Sequence, residues 1–323
     1  RPVANLMPNL VVGRQFFGKF TALSSTSLAY AFEVARTGST DFPSVQAGNG
    51  TSAAALAILD FADRSRWRTA GHNQRTFLGG GVTTTFDGDA ISEVGFLARP
   101  SKPTASLGGT GITGSYRYVA IFEDIDAAGM RTVSGISDPS DLVSPANDTV
   151  TVSTDGIGLT YRIGSSRLSP TRTRVVFYRT LTGGEPPYYR VGSVECAGAA
   201  AVSISDASSD ALIADNSKLY APNLPSTLNE ALDRRAPPGM LCLESFNGML
   251  VGCFGSSLFY SGQEVYGEAT WFSPAFQLPI SGDGDFTALK AQDGTLYAFK
   301  KTSIYAVPGD IPMDNGMSGG LGT

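Results

Sequence analysis

LCLESFNGMLVGCFGSSLFYSGQEVYGEATWFSPAFQLPISGDGDFTALKAQDGTLYAFKKTSIYAVPGD, residues 241–310, sets short runs of Leu, Val, Phe and Tyr between closely spaced turn residues. That spacing is the pattern of an antiparallel all-β protein with short strands. Asn247-Gly248 and Asp293-Gly294 supply the φ > 0 conformations that a two-residue hairpin turn requires. Each is followed by an apolar strand, at residues 249–254 and 296–300, and Trp271 and Phe272 lie between them. Four short strands with an aromatic anchor read as one blade of a β-propeller.

Working outward, residues 1–100 carry the same short-hairpin style. Strands are expected at residues 10–13 and 28–35, and residues 43–49 read as a loop. The alanine-rich residues 51–62, with Thr51 or Ser52 as a cap, predict a short helix, with a strand as the alternative. Residues 67–73 read as a turn. A hairpin of residues 76–86 and 90–97, joined through Asp87-Gly88, follows.

At Arg99-Pro100-Ser101-Lys102-Pro103 two prolines stiffen a linker. Beyond it the strands lengthen. Residues 115–123 alternate Tyr116, Tyr118, Ala120 and Phe122 on one face with Arg117, Val119 and Ile121 on the other. Further strands are expected at residues 149–153, 159–163, 174–180, 188–195 and 201–204, with residues 183–187 turning one hairpin. Such a helix-poor module predicts a β-sandwich of immunoglobulin or fibronectin type. The Cys-Trp-Cys core of antibody domains is absent, which favours the fibronectin-like variant. Residues 206–215 predict a helical turn capped by Asp206 or Ser208, and residues 220–225 a return linker. The expected organisation is therefore a propeller-like domain, 1–100 and 226–323, interrupted by an inserted sandwich, 101–225.

The 323 residues carry a net charge of -5, with only 16% charged side chains, 38 Gly and 18 Pro. Gripping nucleic-acid phosphates needs a basic stripe, and the nearest approach is Arg64, Arg66 and Arg68 around Trp67, read as a solvated face or interface. Arg234-Arg235 reads as an exposed loop, with an interface patch as the alternative. Three cysteines, Cys196, Cys242 and Cys253, argue for a reducing compartment. Counting outward from the Asn247-Gly248 turn places Cys242 opposite Cys253, within about 5.5 Å Cα to Cα, which a disulfide can span. Free thiols are nonetheless the expectation. The longest apolar run, residues 53–62, is half of a membrane span and contains Asp60. The first residue is Arg1 and the chain is expected to be a fragment or processed product.

Chemistry-bearing patterns are sparse. His72, the single histidine, lies in Gly71-His72-Asn73-Gln74 and reads as a surface residue rather than a catalytic base. Scattered Cys and His do not give zinc spacing. Gly79-Gly80-Gly81 and Gly108-Gly109-Thr110-Gly111 lack the Gly-Lys-Ser/Thr of a phosphate loop and read as hinge or bulge glycines. Asp283 and Asp285 begin neither a complete calcium loop nor a full Asp box, and read as a solvated turn. Glu123, Asp124 and Asp126 read as a hairpin end. No catalytic, cofactor-binding or metal-binding residue is assigned, and an enzyme is not expected.

The order of an apolar strand ending in Phe259-Tyr260-Ser261, then Trp271, a loop at residues 282–285, Thr287-Ala288-Leu289, residues 296–301 and Ser303-Ile304-Tyr305 resembles the tail nozzle (tail tubular) proteins of short-tailed, podovirus-type bacteriophages. The resemblance covers about two thirds of the chain, and its motifs are structural. It implies a propeller-like domain with an inserted sandwich and a ring, hexameric in that family, that continues the DNA ejection channel of the virion. The implied neighbours are the adaptor or portal side, and fibre or needle proteins. Assembly would take place in the host cytoplasm. Double-stranded DNA would pass without specific binding, since a carboxylate-lined channel repels phosphates whereas a basic one traps them. Two other readings are a carbohydrate-binding or carbohydrate-cleaving propeller acting in receptor recognition, with Trp67 and Trp271 as stacking residues, and a bacterial surface adhesin.

Overall fold

The computed structural model describes residues 68–73, 75–80, 82–86, 91–126, 128–157, 173–196, 198–219, 234–262, 266–282, 284–310 and 320–322, with the backbone of four earlier strands. The protein is all-β. Strands β1 (Arg14–Phe16), β2 (Ala31–Arg36), β3 (Pro43–Gly48) and β4 (Ala53–Ile58) form an antiparallel sheet in chain order. So do β5 (Arg68–His72), β6 (Arg75–Gly79), β7 (Thr84–Phe86) and β8 (Ile91–Glu93). Next come β9 (Thr104–Thr113), β10 (Tyr118–Ile125), β11 (Arg131–Val133), β12 (Ala146–Thr154), β13 (Thr173–Thr180), β14 (Tyr188–Glu195), β15 (Val202–Asp206) and the single-turn helix α1 (Asp210–Ile213). The chain then returns to short strands. These are β16 (Cys242–Phe246), β17 (Met249–Phe254), β18 (Ser257–Ser261), β19 (Phe272–Pro279), β20 (Ala288–Gln292), β21 (Thr295–Phe299), β22 (Ile304–Val307), β23 (Gly309–Asp310) and β24 (Gly320–Leu321).

The deciding stretch folds as its turns dictate. Asn247 and Gly248 hold φ of 45° and 75°, Asp293 and Gly294 hold 49° and 73°, and each pair joins two strands in register. Strands β16 to β19 form one four-stranded meander, and β20 to β22 form a three-stranded one. Side chains of β16 and β17 alternate in direction. Cys242, Phe246, Met249, Val251 and Cys253 pack in one core cluster with Leu289, Leu296 and Ala298 of the next sheet. Leu243 and Leu250 pack in another, with Ala70 and Phe77 of the preceding sheet. This meander is therefore covered on both faces. The first strands of the three meanders lie against one another, β5 on β16 and β16 on β20. Trp271 sits on the backbone of Gly262, where a Cβ would come within 2.1 Å of the indole, so only glycine admits it.

Between these meanders lies a two-sheet unit. One sheet has the order β11-β10-β13-β14 and the other β15-β12-β9. Tyr116, Tyr118, Ala120, Phe122, Val175 and Phe177 meet Ile112, Val150 and Val152 across a shared core, as the alternation in residues 115–123 predicts. The opposite face is also covered: Val119, Ile121, Val176 and Tyr178 pack with Leu219. Bulges interrupt the β9–β12 ladder near Asp148, where a Cβ on Gly111 would lie 2.6 Å from the Asp148 carbonyl oxygen. The glycines of residues 108–111 thus serve a strand bulge.

The chain leaves and re-enters the meanders side by side. Ala236 N–H donates to the Phe96 carbonyl at 3.1 Å, and Gly80 N–H to the Met240 carbonyl at 2.7 Å. Further on, Arg131 N–H donates to Gly267 and Ala269 N–H to Arg131, at 2.8 and 2.9 Å, so backbone pairing crosses the junction. A buried ion pair, Arg75 to Asp126, closes the same seam.

Four local expectations are corrected. Residues 68–72, expected as part of a turn, form strand β5, paired along its whole length with β6. Residues 53–58 form strand β4, the alternative to the expected helix, because pairing with β3 outweighs the helix preference of alanine. Residues 43–48 are strand β3 rather than a loop, with Pro43 at its first position, where it is tolerated. The expected strand 76–86 is two, β6 and β7, broken near Gly80. Expectations at residues 10–13, 64–67, 87–88, 159–163, 220–225 and Asp283 fall outside the described residues.

Candidate functional site

A cavity of about 420 Å³ lies at the seam between the two-sheet unit and the β16–β19 meander. Its apolar wall comes from Ile121, Val133, Ile136 and Leu219, and its far side from Trp271. Four guanidinium groups point their chemistry at it: Arg131 after the β10–β11 turn, Arg174 on β13, Arg190 on β14 and Arg234 on the returning chain. Two carboxylates, Glu123 and Glu268, answer them.

Glu123 is buried and accepts from Arg131 Nε, while Arg174 Nε stands 3.6 Å from its other oxygen. That Arg174 N–H is buried and finds no hydrogen-bond acceptor. Arg234 pairs with Glu268 at 2.8 Å and lies 4.6 Å over the Trp271 ring. Arg190 donates to Ser193 Oγ at 3.2 Å and has no carboxylate partner among the described residues. Burial alone would favour losing charge from Arg131, but the hydrogen bond and charge of Glu123 outweigh it and raise its pKa. Burial, with Glu123 nearby, pushes the Tyr178 hydroxyl above its ordinary value against the pull of Arg131, so it stays a donor at neutral pH. Lys218 also lines the rim; it pairs with Tyr189 and lays its ammonium 5.4 Å over that ring.

No family model matches the chain, and neither a curated protein nor a solved structure matches it. The site is therefore argued from its geometry.

A second polar cluster lies inside the two-sheet unit. Arg179, fully buried, donates to Asp206 at 3.0 Å, to Asp210 at 2.9 Å and to the Ser208 carbonyl, with its guanidinium 4.3 Å from the Tyr116 ring centre. Tyr118 donates to Asp206 at 2.9 Å. Burial first, then the Asp206 charge and hydrogen bond, drive the Tyr118 hydroxyl far above its ordinary pKa. Every charge here meets an opposite charge, although the Arg179 Nε–H, like that of Arg174, is buried without an acceptor, and the cluster ties one sheet to the other.

The residues singled out in the sequence are dispersed. His72 is buried on β5, not on the surface; its Nδ1 is 2.9 Å from Ser245 Oγ and its ring faces Phe77. Cys242 and Cys253 face each other in register, as counted, and all three cysteines are buried and unbridged. The Cys253 thiol is pushed up by its hydrogen bond with Cys242 and then by burial, which makes it a poor nucleophile. Asp206 does not cap α1; Ser209 occupies that position without a side-chain bond. Asp126 does close the β10–β11 hairpin, accepting from the Ala128 and Met130 N–H groups, and also holds Arg75. Of Arg234-Arg235, both in a loop, Arg235 is exposed as expected, whereas Arg234 is half-buried against Glu268 and Trp271. No group of three or more potential metal-ligating side chains occurs among the described residues.

Proposed function

We propose that this chain is a structural virion protein, a nozzle subunit of a short-tailed bacteriophage whose copies assemble into a ring that continues the DNA ejection channel. The observation that carries the reading is the docking of an inserted two-sheet unit onto blade-like meanders. The unit enters and leaves through adjacent chain segments and is fixed by backbone hydrogen bonds and the Arg75–Asp126 pair. A conduit needs rigid bodies that hold their neighbours in one orientation.

Finer features support the same layout. Meanders in chain order, the β16–β19 one covered on both faces, meeting through their first strands, are what propeller blades do. The β11-β10-β13-β14 order follows the C′-C-F-G order of immunoglobulin-like sandwiches, which favours a fibronectin-like insertion over residues 101–225. Strand β9 is an edge of its sheet, carries no charged residue or proline over ten residues, and is largely exposed. Such an edge is poorly protected against pairing with another chain and offers one route to assembly. Six copies, and contacts to portal-side and fibre or needle proteins, are what the resemblance implies.

The carbohydrate reading draws less support, because Trp271, at the far side of the seam cavity, is buried with Arg234 stacked over its ring rather than open to a sugar, and Trp67 lies outside the described residues. The test is light scattering across a hundredfold range of protein concentration, on the chain and on Leu107→Lys, which places a charge on the β9 edge. Oligomers of one defined size that weaken in the variant support the proposal. A monomer at every concentration rejects it.

A further inference from the structure

The four arginines at the seam are not a closed ion-pair network, and we propose that they form a receptor for a small, multiply charged oxyanion. Four guanidinium groups share two carboxylates, within a chain whose net charge is -5. Arg131 and Arg174 compete for Glu123, and Arg190 has no carboxylate partner among the described residues. Like charges sharing a partly dry cavity repel each other, and an entering anion relieves all of them at once. The buried Arg174 Nε–H stands 3.6 Å from Glu123 without a hydrogen-bond acceptor, a donor that an entering oxygen would satisfy. Guanidinium forks match the paired oxygens of phosphate or carboxylate.

The site is also preorganised. Glu123 and the Arg234–Glu268–Trp271 stack hold three of the arginines. Arg190 sits where β14 is pinned by residues 216–219: its N–H donates to Ser217 and its carbonyl accepts from Asn216. A volume of about 420 Å³ suits a compact ligand of a few to some twenty heavy atoms and is too small for a DNA duplex. Apolar residues Ile121, Val133, Ile136 and Leu219 favour a ligand with one non-polar face. Because the arginines come from both sides of the seam, occupancy would stiffen the junction between the two-sheet unit and the meanders.

Isothermal titration of the whole chain with inorganic pyrophosphate and, separately, with citrate tests this and distinguishes phosphate from carboxylate as the preferred oxyanion. Chloride at matched ionic strength is the reference. Saturable one-site binding of either anion is expected, weakened about tenfold or more in Arg190→Ala. That substitution breaks no ion pair among the described residues, so folding is preserved. Arg99→Ala, which removes an exposed pair with Asp138, should leave binding unchanged. No saturable binding of either anion at ten millimolar, equal binding by Arg190→Ala, or displacement of bound pyrophosphate by duplex DNA would each overturn the assignment.

Discussion

Arg179 and Arg190 stand on adjacent strands of one sheet and have opposite situations. Arg179 turns into the core, with no exposure, two aspartates and a tyrosine ring around it. Arg190 turns out to the seam and finds a serine hydroxyl. A buried guanidinium is retained only where its desolvation is offset by charge and hydrogen bonds, so Arg179 is a fastening. A guanidinium left without a carboxylate beside other guanidiniums adds nothing to folding, so Arg190 is available for a ligand. The same residue type is structural or receptive according to how its surroundings answer its charge.

The contrast breaks most visibly at Arg179. Arg179→Met leaves Asp206 buried without its cation and should reduce stability by about 3–5 kcal/mol in urea unfolding. Arg75→Met at the seam should remove about 2 kcal/mol, less because Asp126 keeps the Ala128 and Met130 N–H donors. Hydrogen exchange of the Met130 and Arg131 amides should then accelerate. Tyr118→Phe deletes one donor to Asp206 while Arg179 remains, so a loss of about 1 kcal/mol is expected.

Tyr118, Tyr178, Tyr188 and Tyr260 also sharpen the picture through pH. Burial raises each above the ordinary value of 10.0. Below that value both states are protonated. Above it the unfolded chain releases protons first, so stability is present at neutral pH and is lost as pH rises towards the folded values. The urea midpoint should fall above pH 10, and less steeply in Tyr118→Phe. Smallest of all, Arg190→Ala should change stability by no more than about 0.5 kcal/mol.

Local chemistry was legible in the sequence. Asn247-Gly248 and Asp293-Gly294 dictate their turns by backbone preference alone, and the turn fixes the register that sets Cys242 against Cys253. The two faces of β10 follow from a period of two. What failed was decided at a distance. The alanines of β4 join a sheet through partners on β3, and His72 is buried because β16 brings Ser245 to it. The seam cavity was illegible for the same reason: Glu123, Arg131, Arg174, Arg190, Arg234 and Glu268 have no common spacing, and only sheet pairing and the return of the chain past Phe96 bring them together.

Negative-stain electron microscopy of the purified protein tests the central claim most directly. Closed rings of uniform symmetry, with a central hole wide enough to pass duplex DNA, are the expected result. A field of single, separate particles at concentrations where light scattering detects no association would contradict it.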